Sequence, residues 1–166
     1  MDGDYKAWSE SGIPQLEIGY KKGELDGLFI SYYDNGRPVR KDVYGAGELK
    51  KKKCFTREGR DTAWFEYIQM PQFPGGPEKL NEYIEKELVY PKEAKEDLRE
   101  GLVTVEFSIG KEGSIAKVKV IKADKEYFNA EAIRLVSSFP KWFPGKKDGQ
   151  LVDVTLTLPI PFRLKD

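Results

Sequence analysis

An internal repeat restricts this chain more than any other feature of its sequence. Displaced by 24 residues, the first segment falls on the second. Gly3 meets Gly27, Tyr5 meets Phe29, Trp8 meets Tyr32, Gly12 meets Gly36, Pro14 meets Pro38 and Tyr20 meets Tyr44. Gly23-Glu24-Leu25 meets Gly47-Glu48-Leu49, and seven of the 24 positions are identical. A degenerate third copy is one residue shorter, with Phe55 and Gly59 in the places of Tyr32 and Gly36. Each copy runs from aromatic, strand-favouring residues through Ser11-Gly12 or Asn35-Gly36 into a second short run, the pattern of a β-hairpin. Asn-Gly predicts a turn whose two residues both take positive φ. A lone hairpin cannot bury its apolar face, so the copies are expected to stack into one sheet. Tyr5, Trp8, Phe29 and Tyr32 are then expected to be buried along a shared face.

Composition removes whole classes of chemistry. The 166 residues carry 28 Lys+Arg against 28 Asp+Glu, so no basic excess points to a nucleic-acid partner. Without any His, the chain has no Ser-His-Asp triad, no imidazole metal site and no histidine pH switch. The single Cys, Cys54, excludes an intrachain disulfide and a thiolate zinc cluster. No apolar run approaches the ~20 residues that span a bilayer. The opening Met-Asp-Gly-Asp-Tyr-Lys is polar, which predicts no signal peptide. No catalytic residues, cofactor, metal or small-molecule substrate is expected, and the chain is read as a binding protein rather than an enzyme.

The pattern changes at Met70-Pro71-Gln72-Phe73-Pro74-Gly75-Gly76-Pro77, which predicts two domains, 1–68 and 69–166. Leu80, Tyr83, Ile84 and Leu88 recur at helical spacing from Glu78 to Leu88. Tyr90-Pro91 breaks that helix, and a short one is predicted over Lys92–Arg99 with Ala94 and Leu98 inside. Val103, Val105, Phe107 and Ile109 alternate with polar residues over Leu102–Ile109. Gly110–Gly113 makes a turn into Ile115–Lys122, with Ala116, Val118 and Val120 inward. Asn129 is the expected N-cap of a helix burying Ala132, Ile133, Val136 and Phe139. The last strand is predicted over Leu151–Leu158, with Pro159 and Pro161 ending regular pairing. The overall expectation is an α+β chain: an antiparallel β-hairpin repeat sheet, then α-β-β-α-β.

These motifs carry two resemblances. The repeat unit G-x-(Y/F)-x-x-(W/Y)-x-x-x-G, over roughly residues 2–60, resembles the MORN-type repeat variant common in bacterial proteins. It implies a β-hairpin array, either purely structural or binding a partner through exposed aromatics. From Pro71 to Leu164, the chain shows Phe73-Pro74-Gly75-Gly76, Tyr90-Pro91-x-x-Ala94, Gly101-x-Val103-x-Val105-x-Phe107 and Pro140-x-Trp142-x-Pro144-Gly145 in order. This resembles the TonB C-terminal domain in the version typical of Bacteroidetes. That resemblance implies a periplasmic adaptor that couples an ExbB/ExbD-type inner-membrane complex to outer-membrane transporters. It binds an extended transporter peptide, the TonB box, by β-strand addition. The membrane anchor and Pro-rich spacer that such proteins carry are absent from this chain. By the same analogy the receiving edge is the last strand, Leu151, Val152, Asp153, Val154, Thr155, Leu156, Thr157 and Leu158, with Tyr90 and Pro91 as a groove wall. The alternative is a cell-envelope scaffold or interaction module that transduces no energy.

Several residues keep a structural reading beside the functional one. Trp142 is either a packed core aromatic or a partner contact, and Tyr90-Pro91 is either a helix break or a groove wall. Lys50–Lys53 reads as a solvated edge guard or a patch for acidic lipid or nucleic acid. Gly75-Gly76 precedes a helix without the Lys-Ser/Thr of a phosphate loop. Glu85 and Glu87 lie on opposite sides of their helix and make no acid/base pair. Cys54 is expected to be packed and inert.

Overall fold

The structure, a computed structural model, describes residues 2–164. It separates into two units, Met1–Glu66 and Tyr67–Asp166, the division falling just ahead of the expected 68/69 junction.

The first unit is an antiparallel sheet of β1 (Gly3–Trp8), β2 (Pro14–Lys21), β3 (Glu24–Tyr32), β4 (Pro38–Gly45), β5 (Glu48–Lys51), β6 (Cys54–Phe55) and β7 (Asp61–Thr62). The order is β1-β2-β3-β4-β6-β7, with β5 also on β4. The repeat is visible as a recurring turn. The N–H groups of Gly12, Gly36 and Gly59 donate to the carbonyls of Ser9, Tyr33 and Thr56 at 2.9, 2.9 and 2.8 Å. Each of these glycines has positive φ, but Asn35 does not, so Asn35-Gly36 makes a type I turn with a left-handed glycine rather than the expected I′ turn. The turns with two positive-φ residues are Lys22-Gly23 and Ala46-Gly47, which join β2 to β3 and β4 to β5. Their two-residue loops match the twist of the flanking strands.

The expected common burial of the aromatics fails at one end. Phe29 is buried and Tyr32 half-buried, whereas Tyr5 is 43% and Trp8 57% exposed. The reason is position: β3 has neighbours on both sides, and β1 pairs with β2 alone. What organises the interior is polar. Phe29 and Ser31 on β3, Arg40 and Asp42 on β4, and Cys54 on β6 are register partners. Arg40 and Asp42 are 1% and 0% exposed and form an ion pair, Nη1 to Oδ2 3.0 Å. Arg40 also donates to the Phe65 carbonyl at 2.6 Å and stacks over the rings of Phe29, Trp64 and Phe65. Asp42 Oδ1 accepts from the Lys53 N–H at 3.1 Å and from Trp64 Nε1 at 3.2 Å. Nearer the β1 edge, Glu17 receives the Tyr32 hydroxyl at 2.7 Å and pairs with Lys6 at 3.2 Å.

The second unit contains α1 (Gly76–Glu87), α2 (Lys92–Glu96), β9 (Gly101–Ile109), β10 (Ile115–Ala123), a 3₁₀ turn at Glu126–Phe128, α3 (Asn129–Ser137) and β13 (Val154–Phe162). Their sheet has the order β10-β9-β13. A second small sheet joins β12 (Gln150–Val152), β11 (Gly145–Lys147) and β8 (Ile68–Gln69). The core unites Val103, Val105, Phe107 and Ile109 of β9 with Ile84 of α1, Ala94 of α2, Ala132, Leu135 and Val136 of α3, and Ile160 and Phe162 of β13. Phe73, from the Phe-Pro-Gly-Gly segment, lies edge-on to Trp142 at 5.5 Å and to Phe139 at 5.9 Å. Trp142 is thus a core residue, 7% exposed. Gly113, at φ +80, admits this packing, because a Cβ there would stand 2.0 Å from the Trp142 carbonyl oxygen.

Four local expectations are corrected. Leu98 is 76% exposed: α2 stops at Glu96, and Leu98 takes φ +52 where the Arg99 N–H returns to the Ala94 carbonyl. Ala116 faces outward because a bulge at Lys117, φ +53, shifts the register, so Ile115, Val118, Val120 and Ala123 turn inward. Asn129 caps nothing; it is already helical, with Phe128 as the cap residue, and its Oδ1 has no hydrogen-bond partner within the protein. On α3 the buried stripe is Ala132, Leu135 and Val136, joined by Phe139 just past the helix end, while Ile133 is exposed, lying one 100° step off that stripe.

Three measurements test these features. Asp42→Ala strands a buried guanidinium and should destabilise the chain by about 3–5 kcal/mol in denaturant titration, whereas Arg40→Met/Asp42→Leu should cost far less. Leu98→Gly relieves a left-handed leucine and should raise stability by up to about 1 kcal/mol. Burial, then the bond to Glu17, pushes Tyr32 up to about 12, so its contribution is complete below the ordinary value of 10.0 and vanishes as pH rises through about 12. The Tyr32 hydroxyl, then Lys6, holds Glu17 below its ordinary value of 4.5, giving stability present above that pH and lost as pH falls. Tyr32→Phe should therefore flatten both limbs of a pH–stability profile.

Candidate functional site

The sheet β10-β9-β13 has two outer strands, and they differ. β10 is broken by register shifts between Ala116 and Lys119 and between Val120 and Lys122. It also exposes Lys117, Lys119 and Lys122. Bulges and lysines are the usual means of blunting an edge. β13 instead runs in unbroken register against β9, from Val154 opposite Ile109 to Phe162 opposite Gly101. It is the regular edge of this sheet.

The expected strand end at Pro159 is corrected, since Pro159 and Pro161 both lie inside β13, opposite Thr104 and Leu102. Proline has no N–H to give to a ladder. These two pairs therefore keep the sheet intact only as non-hydrogen-bonded pairs, with their backbone groups turned away from β9. Period two then assigns every residue of the strand. Leu156, Leu158 and Ile160 direct backbone groups at β9 and side chains at the core; Leu156 and Leu158 are half-buried against it and Ile160 fully. Thr155 and Thr157 direct N–H and C=O to the open edge and their exposed side chains to solvent. The Thr155 hydroxyl lies 3.1 Å from that of Ser108, its partner on β9. On the same solvent face, Lys119 and Glu106 pair at 2.8 Å.

The structure brings only part of the expected site together. Val154, Thr155, Leu156, Thr157 and Leu158 lie on β13 as expected. Leu151 and Val152 do not, because the predicted single strand is divided: they belong to β12 and pair with Lys146 and Gly145 of β11. Asp153 is the joint, its Oδ1 accepting the Lys111 N–H at 3.1 Å. Tyr90 and Pro91 lie at the other end of the strand. The Tyr90 ring packs edge-on to Phe128 at 5.8 Å and Phe162 at 6.0 Å, and its hydroxyl donates to the Arg99 carbonyl. Burial, then nearby Glu100, raises the Tyr90 phenol above its usual range. Pro91 precedes α2, its carbonyl accepting the Lys95 N–H at 3.0 Å. Six residues of strand, about 20 Å, separate Leu156 from Phe162, so Tyr90, packed on Phe162, closes the core rather than flanks the threonines.

A polar clasp holds the helices over this sheet. Arg134 binds both carboxylate oxygens of Glu131 at 2.7 Å and donates to the Glu87 carbonyl at 2.7 Å. Glu131 in turn accepts the Val89 N–H at 2.7 Å, tying α3 to the end of α1. Hydrogen bonding to Glu131 holds the Arg134 guanidinium above its usual pKa. Sequence reasoning missed this clasp, and it missed the outward prolines. Their signal was available, since Leu158, Ile160 and Phe162 continue the alternation of Val154 and Leu156 straight through them. Among the described residues no His, Cys, Asp or Glu cluster could hold a metal, and no helix is long and apolar enough to cross a membrane.

Comparison with known proteins bears on residues 86–164, which match the family described as Gram-negative bacterial TonB protein C-terminal. Two solution NMR structures of the Helicobacter pylori TonB C-terminal domain are similar to this chain. One is 31% identical, covering 54% of this chain and 94% of that one, with a TM-score of 0.44. The other, a longer fragment, is 30% identical over 54% and 80%, with a TM-score of 0.42. No curated protein matches the chain.

Proposed function

Because residues 86–164 match the family described as Gram-negative bacterial TonB protein C-terminal, we propose that the chain is a periplasmic TonB-like adaptor that grips an extended peptide of outer-membrane transporters by β-strand addition. The observation that carries this reading is the edge of β13, in unbroken register against β9 and with the N–H and C=O of Thr155 and Thr157 turned outward. Backbone pairing requires few particular side chains, so one adaptor can serve several transporters. Hydrogen bonds arranged along a strand share a pulling load, which suits a coupling protein driven by an ExbB/ExbD-type inner-membrane complex. The reading is one of binding and force transmission, with no catalytic step, cofactor or nucleic acid.

A second reading is favoured by one feature of the first unit. Tyr5 and Trp8 stay exposed on the outer strand of a MORN-like repeat sheet, as a protein-binding surface of an envelope scaffold would present them.

The test compares prolines in the two registers of β13. Peptides tiling the extended, periplasm-facing segments of outer-membrane transporters are titrated into the ¹⁵N-labelled chain. Thr155→Pro removes an outward donor and should weaken binding about tenfold while leaving the melting transition in place. Leu156→Pro removes a donor to β9 and should lower the melting transition itself. Peptides that shift only residues 2–62, or that bind Thr155→Pro undiminished, would overturn the adaptor reading in favour of the scaffold.

A further inference from the structure

The open edge of β13 does not offer the same groups along its length. Thr155 and Thr157 turn a donor and an acceptor outward, whereas Pro159 and Pro161 offer carbonyls alone and set a ring carbon where an N–H would stand. At its other end the edge stops at Asp153, beyond which Gln150–Val152 pair into the small sheet with β11. A strand laid along β13 thus has its carbonyls answered only between these limits. Unanswered carbonyls lose the benefit of leaving water, so extension past Thr157 adds little.

We infer that β13 selects one register: the bound peptide pairs opposite Thr155 and Thr157 alone, with Pro159 and Pro161 ending the ladder. This rests on the strand-addition reading and makes it more specific. The ligand is a short extended segment whose paired part is no longer than the Val154–Leu158 stretch it faces. Side chains directly opposite in a sheet share a face. The peptide residue opposite Leu156 therefore turns toward the apolar, helix-covered side, next to a half-buried leucine. Its neighbours, opposite Thr155 and Thr157, turn to the solvent face beside hydroxyls. The edge reads a polar-apolar-polar triplet, and the prolines decide where that triplet sits.

The experiment uses the whole chain and the tightest of the transporter peptides from the tiling array. Three residues are added at the peptide end, so that they lie beside Pro159, Ile160 and Pro161. In the parent chain the extension should change Kd by less than about twofold, while the Thr155 and Thr157 amides gain protection from exchange. In Pro159→Thr/Pro161→Thr the same extension should tighten binding about tenfold, from two restored hydrogen bonds. The new N–H groups face away from β9, so the internal ladder is untouched and the melting transition should hold. Should the variant pair with itself, protection of amides 159 and 161 in the dimer would show the same restored donors and support the inference. An equal gain from the extension in parent and variant overturns the inference yet leaves strand addition standing. If no array peptide protects Thr155 or Thr157, the strand-addition reading itself fails, and the register assigned to it falls with it.

Discussion

Everything in the second unit depends on β9 being paired on both sides. Its inward side chains, Val103, Val105, Phe107 and Ile109, are at most 1% exposed. Each contributes roughly 1.5–3 kcal/mol by leaving water. Two neighbours complete its ladder, so β9 has no backbone group left to share, and any partner must come to β10 or β13. The helices are positioned by the same strand. Leu135 and Val136 of α3 and Ile84 of α1 lie in the cluster built on it, and the Glu131–Arg134 clasp then joins the two helices. A sheet covered on one face by helices and solvated on the other leaves its edges as the places where backbone can still pair.

The two edges are made unequal by ordinary means. Bulges and lysines spoil β10, and two prolines spoil the far half of β13 without breaking its own pairing. What remains is a short stretch at Thr155 and Thr157. Guarding most of the edge keeps the protein from pairing indiscriminately, and leaving one stretch open gives a ligand a defined place to add.

The first unit is organised by a different device. Burying Arg40 and Asp42 is costly, and their attraction offsets that cost only because each also finds further partners: the Phe65 carbonyl for the guanidinium, the Lys53 N–H and Trp64 indole for the carboxylate. Such a network tolerates few alternative registers, since a one-residue slip would move both charges to the other face. The bond from Trp64 reaches back 22 residues to Asp42, and that from Arg40 reaches the Phe65 carbonyl, so polar contacts tie the irregular segment after β7 to the sheet.

Much of this was legible in the chain. Period-two alternation determined β9, and helical spacing determined α1, because each strand or helix shows its buried face in local order. The 24-residue repeat determined where turns recur, since glycine is needed wherever the backbone turns left-handed. Tertiary structure decided the rest. Which glycine turns are I′, whether Trp8 is covered, and where β12 parts from β13 all depend on neighbouring strands that no local pattern names. The same holds for Leu151 and Val152, whose alternation with Val154 and Leu156 reads as one strand although their backbones pair with different partners. Most telling are Pro159 and Pro161, which read as strand breakers in sequence. Beside β9 they are tolerated because their missing donors point outward, and only the identity of the neighbouring strand decides which way a backbone donor points.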